Sequence, residues 1–323
     1  MCTAVWDAAN GLFGRTLDLE YTYDEQVVIA PGDLFGGWYR MIGVATVADG
    51  YPLYYDAVNE KGVAMAGLHF PRSCAYPPPR EGAVNVGSFA LIPALLSRCA
   101  SVEDVVAEMR RIYLCSHAFS EAFPATPLHW MAADRHRAVV IEAVVGGVQV
   151  TDNPAGVLTN EPPLAHQLSH LSHFAHLSPA QPTGWQDPLS RGGGTVGMPG
   201  DYTSPSRFVR AAFGAAHAAA REGEAKISAY FRRMAAVEIP PGWVQAEDGR
   251  TVVTHYTSCM DLEQLAYYYR TAGCHRITAV QLPDVVDGLI TYPLRRQEDI
   301  LSLLEIQTFK YITFFYFLDH LFI

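Results

Sequence analysis

The sequence is poor in the signatures that settle a function at sight. None of its six cysteines (Cys2, Cys74, Cys99, Cys115, Cys259, Cys274) falls in a Cys-x-x-Cys pair, which removes the zinc-ribbon and thioredoxin readings. No repeat of roughly 20–50 residues is visible, which removes solenoids and propellers. Positive charge is scarce: 23 Lys and Arg against 33 Asp and Glu give a net charge of −10, which offers no broad footprint for DNA, RNA or an anionic membrane. No apolar run of signal-peptide length opens the chain, whose start carries Asp7, Asn10, Arg15, Asp18 and Glu20. A cytoplasmic protein with reduced thiols is expected. The aromatic run 311–318, bracketed by Lys310 and Asp319, is too short for a hydrocarbon layer of about 30 Å. Residues 303–323 are expected to form an atypical apolar tail without a catalytic role, following one domain over residues 1–302.

What is present can bury a large core. Half of the 323 residues are hydrophobic and 17% are charged, so disorder is excluded. Asn10-Gly11 ends a turn between two strand-like runs, 3–6 and 12–17, and predicts an N-terminal β-hairpin with Cys2 at the tip of its first strand. Further strands are expected at 26–30, 39–48, 53–57 and 63–68, then a meander at 128–133, 138–143 and 148–151, and a last set at 251–258, 263–270, 276–281 and 288–292. Helices are expected over 89–99, over 101–112 behind the capping box Ser101-Val-Glu-Asp104, from Thr203 or Ser204 to about 221, and over 224–237. Residues 179–205 predict a long Gly/Pro-rich loop. The order of elements suggests one α+β domain of two antiparallel sheets faced by helices.

Cys2 is the most informative position. A small residue after the initiator methionine allows that methionine to be trimmed, which would leave a free α-amine beside the thiol. An α-amine has an ordinary pKa of about 7.7–8.0 and can act as a general base near neutrality. Arg15 and Asp18 lie on the strand that should pair beside Cys2. A guanidinium near a thiol favours the thiolate, and a carboxylate near an amine holds it. Strand alternation puts Arg15 and Asp18 on opposite faces, so both reach Cys2 only if the strand ends or bulges near Leu17. His166, His170, His173 and His176 would form a stripe on a helix, as metal ligands can. No Glu completes a His-Glu-x-x-His, and a solvated helix face or a loop is the better reading. Gly192-Gly-Gly-Thr-Val-Gly-Met-Pro-Gly200 lacks the Lys-Ser/Thr ending of a phosphate loop and reads as a flexible loop.

An ordered series of motifs resembles the choloylglycine hydrolases, the family of bile salt hydrolases and penicillin V acylases. It comprises Met1-Cys2-Thr3, Gly14-Arg15-Thr16-Leu17-Asp18, Asn59-Glu-Lys-Gly62, Ala66-Gly-Leu-His-Phe-Pro71 and Leu128-His-Trp-Met131. Val157-Leu-Thr-Asn160, the stretch from Gly197 to Phe208 and Tyr256-Thr-Ser258 complete it. The resemblance implies an N-terminal-nucleophile hydrolase with a four-layer αββα sandwich. It matches Cys2 to the nucleophile, Arg15 to the arginine beside the thiol and Asp18 to the carboxylate that contacts the amine. Asn160 matches an oxyanion-hole amide and Arg207 the second arginine of the charged network. His69 stands where bile salt hydrolases usually carry Asn and penicillin V acylases Tyr; its backbone N–H would be the other oxyanion donor and its side chain would line the substrate entrance. Leu17, Tyr23, Phe119, Phe123 and Thr126 would line the apolar part of the pocket. The implied activity is hydrolysis of the amide between a bile acid and glycine or taurine. Penicillin V or N-acyl-homoserine lactone acylase activity on the same Cys2 machinery, or a non-catalytic ligand-binding relative, are the alternatives. No metal or cofactor is implied, and a homotetramer is.

Overall fold

The Asn10-Gly11 turn forms as its residue types dictate: Gly11 takes φ +61°, and Asn10 is pinned by its amide to the Asp7 carboxylate at 2.8 Å. The computed structural model describes residues 1–184 and 191–297. In chain order the early strands are β1 (Cys2–Asp7), β2 (Leu12–Leu19), β3 (Gln26–Ala30), β4 (Met41–Ala48), β5 (Tyr51–Asn59), β6 (Ala64–His69), β7 (Val84–Gly87) and β8 (Ile112–Cys115). The middle ones are β9 (Leu128–Ala133), β10 (Ala138–Val144), β11 (Gly147–Asp152) and β12 (Val157–Leu158). The last are β13 (Val244–Gln245), β14 (Thr251–Asp261), β15 (Ala266–Thr271), β16 (Cys274–Gln281) and β17 (Ile290–Pro293). Among the described residues five α-helices accompany them: α1 (Leu91–Leu96), α2 (Val102–Met109), α3 (Leu164–Leu171), α4 (Ser204–Ala216) and α5 (Gly223–Met234).

Two antiparallel sheets result. The first runs β12-β1-β2-β14-β15-β16 with β13 on β14; the second runs β11-β10-β9-β6-β5-β4-β3-β17. Strand alternation divides the second sheet's side chains between two cores. Val27, Ile29, Ile42, Val44, Ala64, Ala66 and Leu68 face the first sheet. Val28, Ala30, Met41, Ala45, Met65 and Trp130 face α1 and α2, whose Leu91, Leu95, Leu96, Val102 and Val105 close that side. Phe208 of α4 and Tyr230 and Phe231 of α5 cover the outer face of the first sheet. The layers are therefore α, β, β, α, as the resemblance implies. Each fully buried Leu, Ile, Val or Phe contributes about 1.5–3 kcal/mol.

Some boundaries differ from the sequence reading for local reasons. The strand expected from 39 starts at Met41, because the N–H groups of Trp38 and Tyr39 both go to the Ser97 carbonyl. The strand expected over 263–270 starts at Ala266. The Asp261 carboxylate takes the N–H groups of Glu263 and Gln264, and Leu265 adopts φ +54°, which makes 262–265 a turn. Thr203 is the N-cap residue of α4 but not by its hydroxyl, which donates to Asp201 Oδ1 at 2.6 Å. His166 and His170 ride on α3, and His173 and His176 follow it; of these, His166, His173 and His176 are exposed. Part of the predicted 179–205 loop and the expected tail at 303–323 lie outside the described residues.

Gly14 shows how tightly the first sheet is built. A Cβ there would stand 2.1 Å from the Ser258 carbonyl oxygen of β14. Gly14→Ala should therefore cost about 1–3 kcal/mol of stability. Urea unfolding of the variant checks this, and an unchanged midpoint would mean that the two strands separate without cost.

Candidate active site

The hairpin register sets Cys2 opposite Leu17 and Ala4 opposite Arg15, so these four side chains share the face turned toward the second sheet. Arg15 Nη2 donates to Cys2 Sγ at 2.6 Å. The rest of the guanidinium is held by carbonyls: Nε by Thr16 at 3.0 Å, and Nη1 by Gly67 at 2.9 Å and Tyr55 at 3.3 Å. Both Cys2 and Arg15 are buried. Burial alone would lower the Arg15 pKa, but Cys2, Tyr256, Asp56 and Asp18 turn the shift upward, so the cation persists.

Asp18 lies on the other face, as strict alternation requires. Its carboxylate accepts from Thr254 Oγ1 at 2.6 Å and Thr16 Oγ1 at 3.0 Å, and Arg207 Nη1 stands 3.9 Å away. What approaches the chain terminus is the Asp18 backbone. Its N–H donates to the Met1 carbonyl at 3.0 Å, and its carbonyl accepts from the Met1 amine at 2.5 Å. Met1 thus extends the β1–β2 ladder by one residue. A register shift lies in β14, between Thr254 and Tyr256, and β2 itself continues to Leu19. The Asp18 carboxylate, expected to contact the terminal amine, is instead turned by strand alternation to Thr254, Thr16 and Arg207, while the Cys2 nitrogen goes to Asn160.

Asn160 and Arg207 close the cluster. The Cys2 N–H donates to Asn160 Oδ1 at 2.8 Å, and Arg207 Nη2 donates to the same oxygen at 2.8 Å. Two donors on one atom fix that atom as oxygen, so the amide nitrogen points the other way, to the His69 carbonyl at 2.8 Å. One of its two hydrogens is left for another acceptor. Arg207, buried on α4, also donates to the Cys2 carbonyl at 2.5 Å and to Thr3 Oγ1 at 2.6 Å. Burial pulls its pKa down and Asp18 and Cys2 oppose this, but an arginine starts so high that it stays charged.

His69 ends β6. The Phe70 N–H goes to the Pro127 carbonyl at 2.9 Å, and the Leu128 N–H to the Tyr76 hydroxyl at 3.0 Å. His69 is opposite Leu128 in the register, so antiparallel alternation turns its N–H and C=O away from β9, to the side where Asn160 meets the carbonyl. The His69 ring is held below the ordinary histidine range by burial and by the terminal ammonium, against Glu20 and Glu161.

The expected pocket residues fall into smaller groups. Leu17 is buried beside Cys2. Tyr23 is 42% exposed and bonds Tyr21 through their hydroxyls at 2.8 Å. Phe119 and Phe123 are half-buried and join Tyr51 and Phe89 in an aromatic cluster, with Phe119 5.6 Å from Tyr51 and 5.4 Å from Phe89. Thr126 is exposed, and its carbonyl accepts from the Tyr76 hydroxyl at 3.2 Å. Sequence reasoning passed over Asp56, buried and bonded by Tyr267 at 2.6 Å, Ser258 at 3.0 Å and Tyr256 at 3.1 Å. Ser258 in turn receives the Arg15 backbone N–H at 3.1 Å. Burial raises the Asp56 pKa, against the pull of Arg15 and these donors. The motif Tyr256-Thr-Ser258 was its only trace in the sequence.

A terminal thiol against a guanidinium, with an amide and a strand-end N–H turned to one side, suits acyl transfer through a thioester. Known proteins agree in class. The family model for linear amide C–N hydrolases of the choloylglycine hydrolase family matches residues 2–286. A bile salt hydrolase/transferase of Lactiplantibacillus plantarum is 38% identical over 318 residues, 92% of this chain and 98% of that relative. A conjugated bile acid hydrolase of Lactobacillus acidophilus is 30% identical over 90% of this chain and 100% of its own. Among solved structures, a variant of the conjugated bile acid hydrolase from Clostridium perfringens superposes with a TM-score of 0.84 at 28% identity, covering 94% of this chain and 100% of its own. The penicillin V acylase from Agrobacterium tumefaciens shares the fold, with a TM-score of 0.70 at 19% identity over 91% of each chain. The chain belongs to the choloylglycine hydrolase family of linear amide C–N hydrolases.

Proposed function

We propose that the protein hydrolyses the amide between a bile acid and glycine or taurine, using Cys2 as nucleophile once Met1 has been removed. The single observation that carries this reading is the Cys2 sulfur on Arg15 at 2.6 Å while the Cys2 nitrogen rests on Asn160 Oδ1 at 2.8 Å. The names of the relatives in Lactiplantibacillus and Lactobacillus support the substrate class. Trimming Met1 turns the Cys2 nitrogen into an amine and frees the Asp18 peptide. The thiol proton passes to that amine, and the thiolate, held by Arg15, attacks the amide carbonyl. The oxyanion accepts from the spare hydrogen of Asn160 Nδ2 and from the His69 N–H; losing one such donor typically costs about 10²–10³ in rate. The new ammonium protonates the leaving nitrogen as the C–N bond breaks, releasing glycine or taurine. The amine then takes a proton from water, which opens the thioester.

Leu17, Tyr23, Phe119 and Phe123 are the apolar walls for the steroid in this reading. A protein of net charge −10 does not steer an anion inward, so local arginines and apolar contact must supply the fit. Release of glycine from glycocholate and taurine from taurocholate, measured beside penicillin V hydrolysis, tests the assignment. Faster turnover of penicillin V would move the protein to the acylase branch, and no turnover at all would make it a ligand-binding relative. A homotetramer in a reducing cytoplasm completes the proposal. All six cysteines are free, which suits such a compartment, and light scattering tests the assembly.

Two predictions belong here. Intact mass of the purified protein should show Met1 absent; quantitative retention would leave Cys2 without a base. Because the His69 ring sits below the ordinary histidine range, it is neutral at pH 7 and gains charge only in acid. The KM for glycocholate should fall as pH drops below the ordinary histidine range, and His69→Asn should flatten the dependence.

A further inference from the structure

We propose that His129 is the positioning residue of the oxyanion hole, holding its two donors, which come from different sheets, in register with each other. The inference rests on the hydrolase reading above and adds to it a side chain that the reaction itself does not use. His129 lies on β9, fully buried, in the Leu128-His-Trp-Met131 motif. Its Nε2 meets the Thr159 carbonyl at 2.7 Å, one residue before Asn160. A carbonyl only accepts, so Nε2 carries the hydrogen. The ring lies flat on Phe70, 4.2 Å between centroids and 7° between planes, one residue after His69. One imidazole therefore touches both shoulders of the hole: the segment after β12 in the first sheet and the end of β6 in the second.

The ring is itself fixed from behind. Nδ1 meets Glu142 Oε1 at 3.2 Å, across the β9–β10 pair. The same oxygen accepts the Leu164 N–H at 3.0 Å, the first residue of α3, whose N-cap Pro163 offers no side-chain cap. A carboxylate there also suits the positive end of the helix. Gln167 of α3 reaches Thr159 Oγ1 at 3.2 Å, and Ser204 Oγ takes the Asn160 N–H at 2.9 Å. His129, itself on the second sheet, thus reaches across to the segment after β12 of the first. A displacement of about 1 Å at a reacting group costs on the order of 10²-fold in rate, which sets the scale of its effect.

The test compares His129→Gln, whose amide nitrogen can reach the Nε2 position, with His129→Asn and His129→Leu, which cannot donate to Thr159. On whichever of glycocholate, taurocholate or penicillin V the wild type hydrolyses, kcat should fall by about 10²-fold in the Asn and Leu variants and within about tenfold in the Gln variant. KM and the rate of Cys2 alkylation by iodoacetamide should stay within about threefold, since the Cys2 sulfur and its contact with Arg15 are untouched. A crystal structure of His129→Asn should show the Asn160 amide displaced from Cys2 and Arg207, a readout that does not depend on the substrate. Asn160 in place, a Gln variant no better than Leu, or kcat, KM and alkylation falling together would each overturn the proposal. Failure of wild-type protein on all three substrates would instead count against the hydrolase reading, with the Asn160 displacement still deciding the role of His129.

Discussion

Cys2→Ala protein should release no measurable glycine from glycocholate, with kcat lower by at least about 10⁴-fold, the scale on which removing a catalytic nucleophile acts. Alanine is small enough to leave methionine trimming intact, and the Cys2 backbone bonds to Asn160 and Arg207 do not involve the sulfur. The variant should therefore fold and bind bile salts. What it loses is the atom that Arg15 holds at 2.6 Å and any route through a thioester. A variant that still turned over at a tenth of the wild-type rate would remove the nucleophile assignment outright, because no other cysteine lies in the cluster. Calorimetric binding of glycocholate to the inactive protein separates lost chemistry from a lost site.

Arg207→Met should destabilise the protein by about 3–5 kcal/mol, the cost of breaking a buried charge network from one side. The guanidinium joins the Cys2 carbonyl, Thr3 and Asn160 with hydrogen bonds and stands 3.9 Å from the buried Asp18 carboxylate. Methionine fills the space of the stem but leaves Asp18 facing no cation on that side. Lysine would keep the charge yet could not bridge three acceptors, so Arg207→Lys should recover stability more than activity. The urea midpoint and kcat of the two variants check this, and equal midpoints for wild type and Arg207→Met would show that the network contributes little.

The hairpin was legible because Asn10-Gly11 is a local signal, and the layered architecture because the apolar β-branched run at 26–30 and helical spacing at 102–109 are local too. Arg15 and Asp18 could be named from the sequence, but only Arg15 reaches Cys2 with its side chain. The objection from alternation was sound: the Asp18 carboxylate faces Thr254 and Arg207 on the far side of the sheet, and only the Asp18 backbone meets the terminus. Asp56 stayed hidden because its partners Tyr256, Ser258 and Tyr267 are about two hundred residues away in the chain. His129 stood in a visible motif, but its work is done on Thr159 and Phe70, and only strand register brings those to it. The turn at 262–265 was missed because a carboxylate collecting two N–H groups leaves no periodic trace.

Met1 in the ladder bears on when this polypeptide matures. Its amine and its carbonyl are both tied to Asp18, and the Cys2 that follows is 3% exposed. An aminopeptidase needs that peptide extended and loose in its own cleft. If Met1 is removed as proposed, pairing of β1 with β2 shields the bond, and excision would belong to the nascent chain. On that reading, a copy that folded first would keep Met1 in the ladder and the Cys2 nitrogen in a peptide bond.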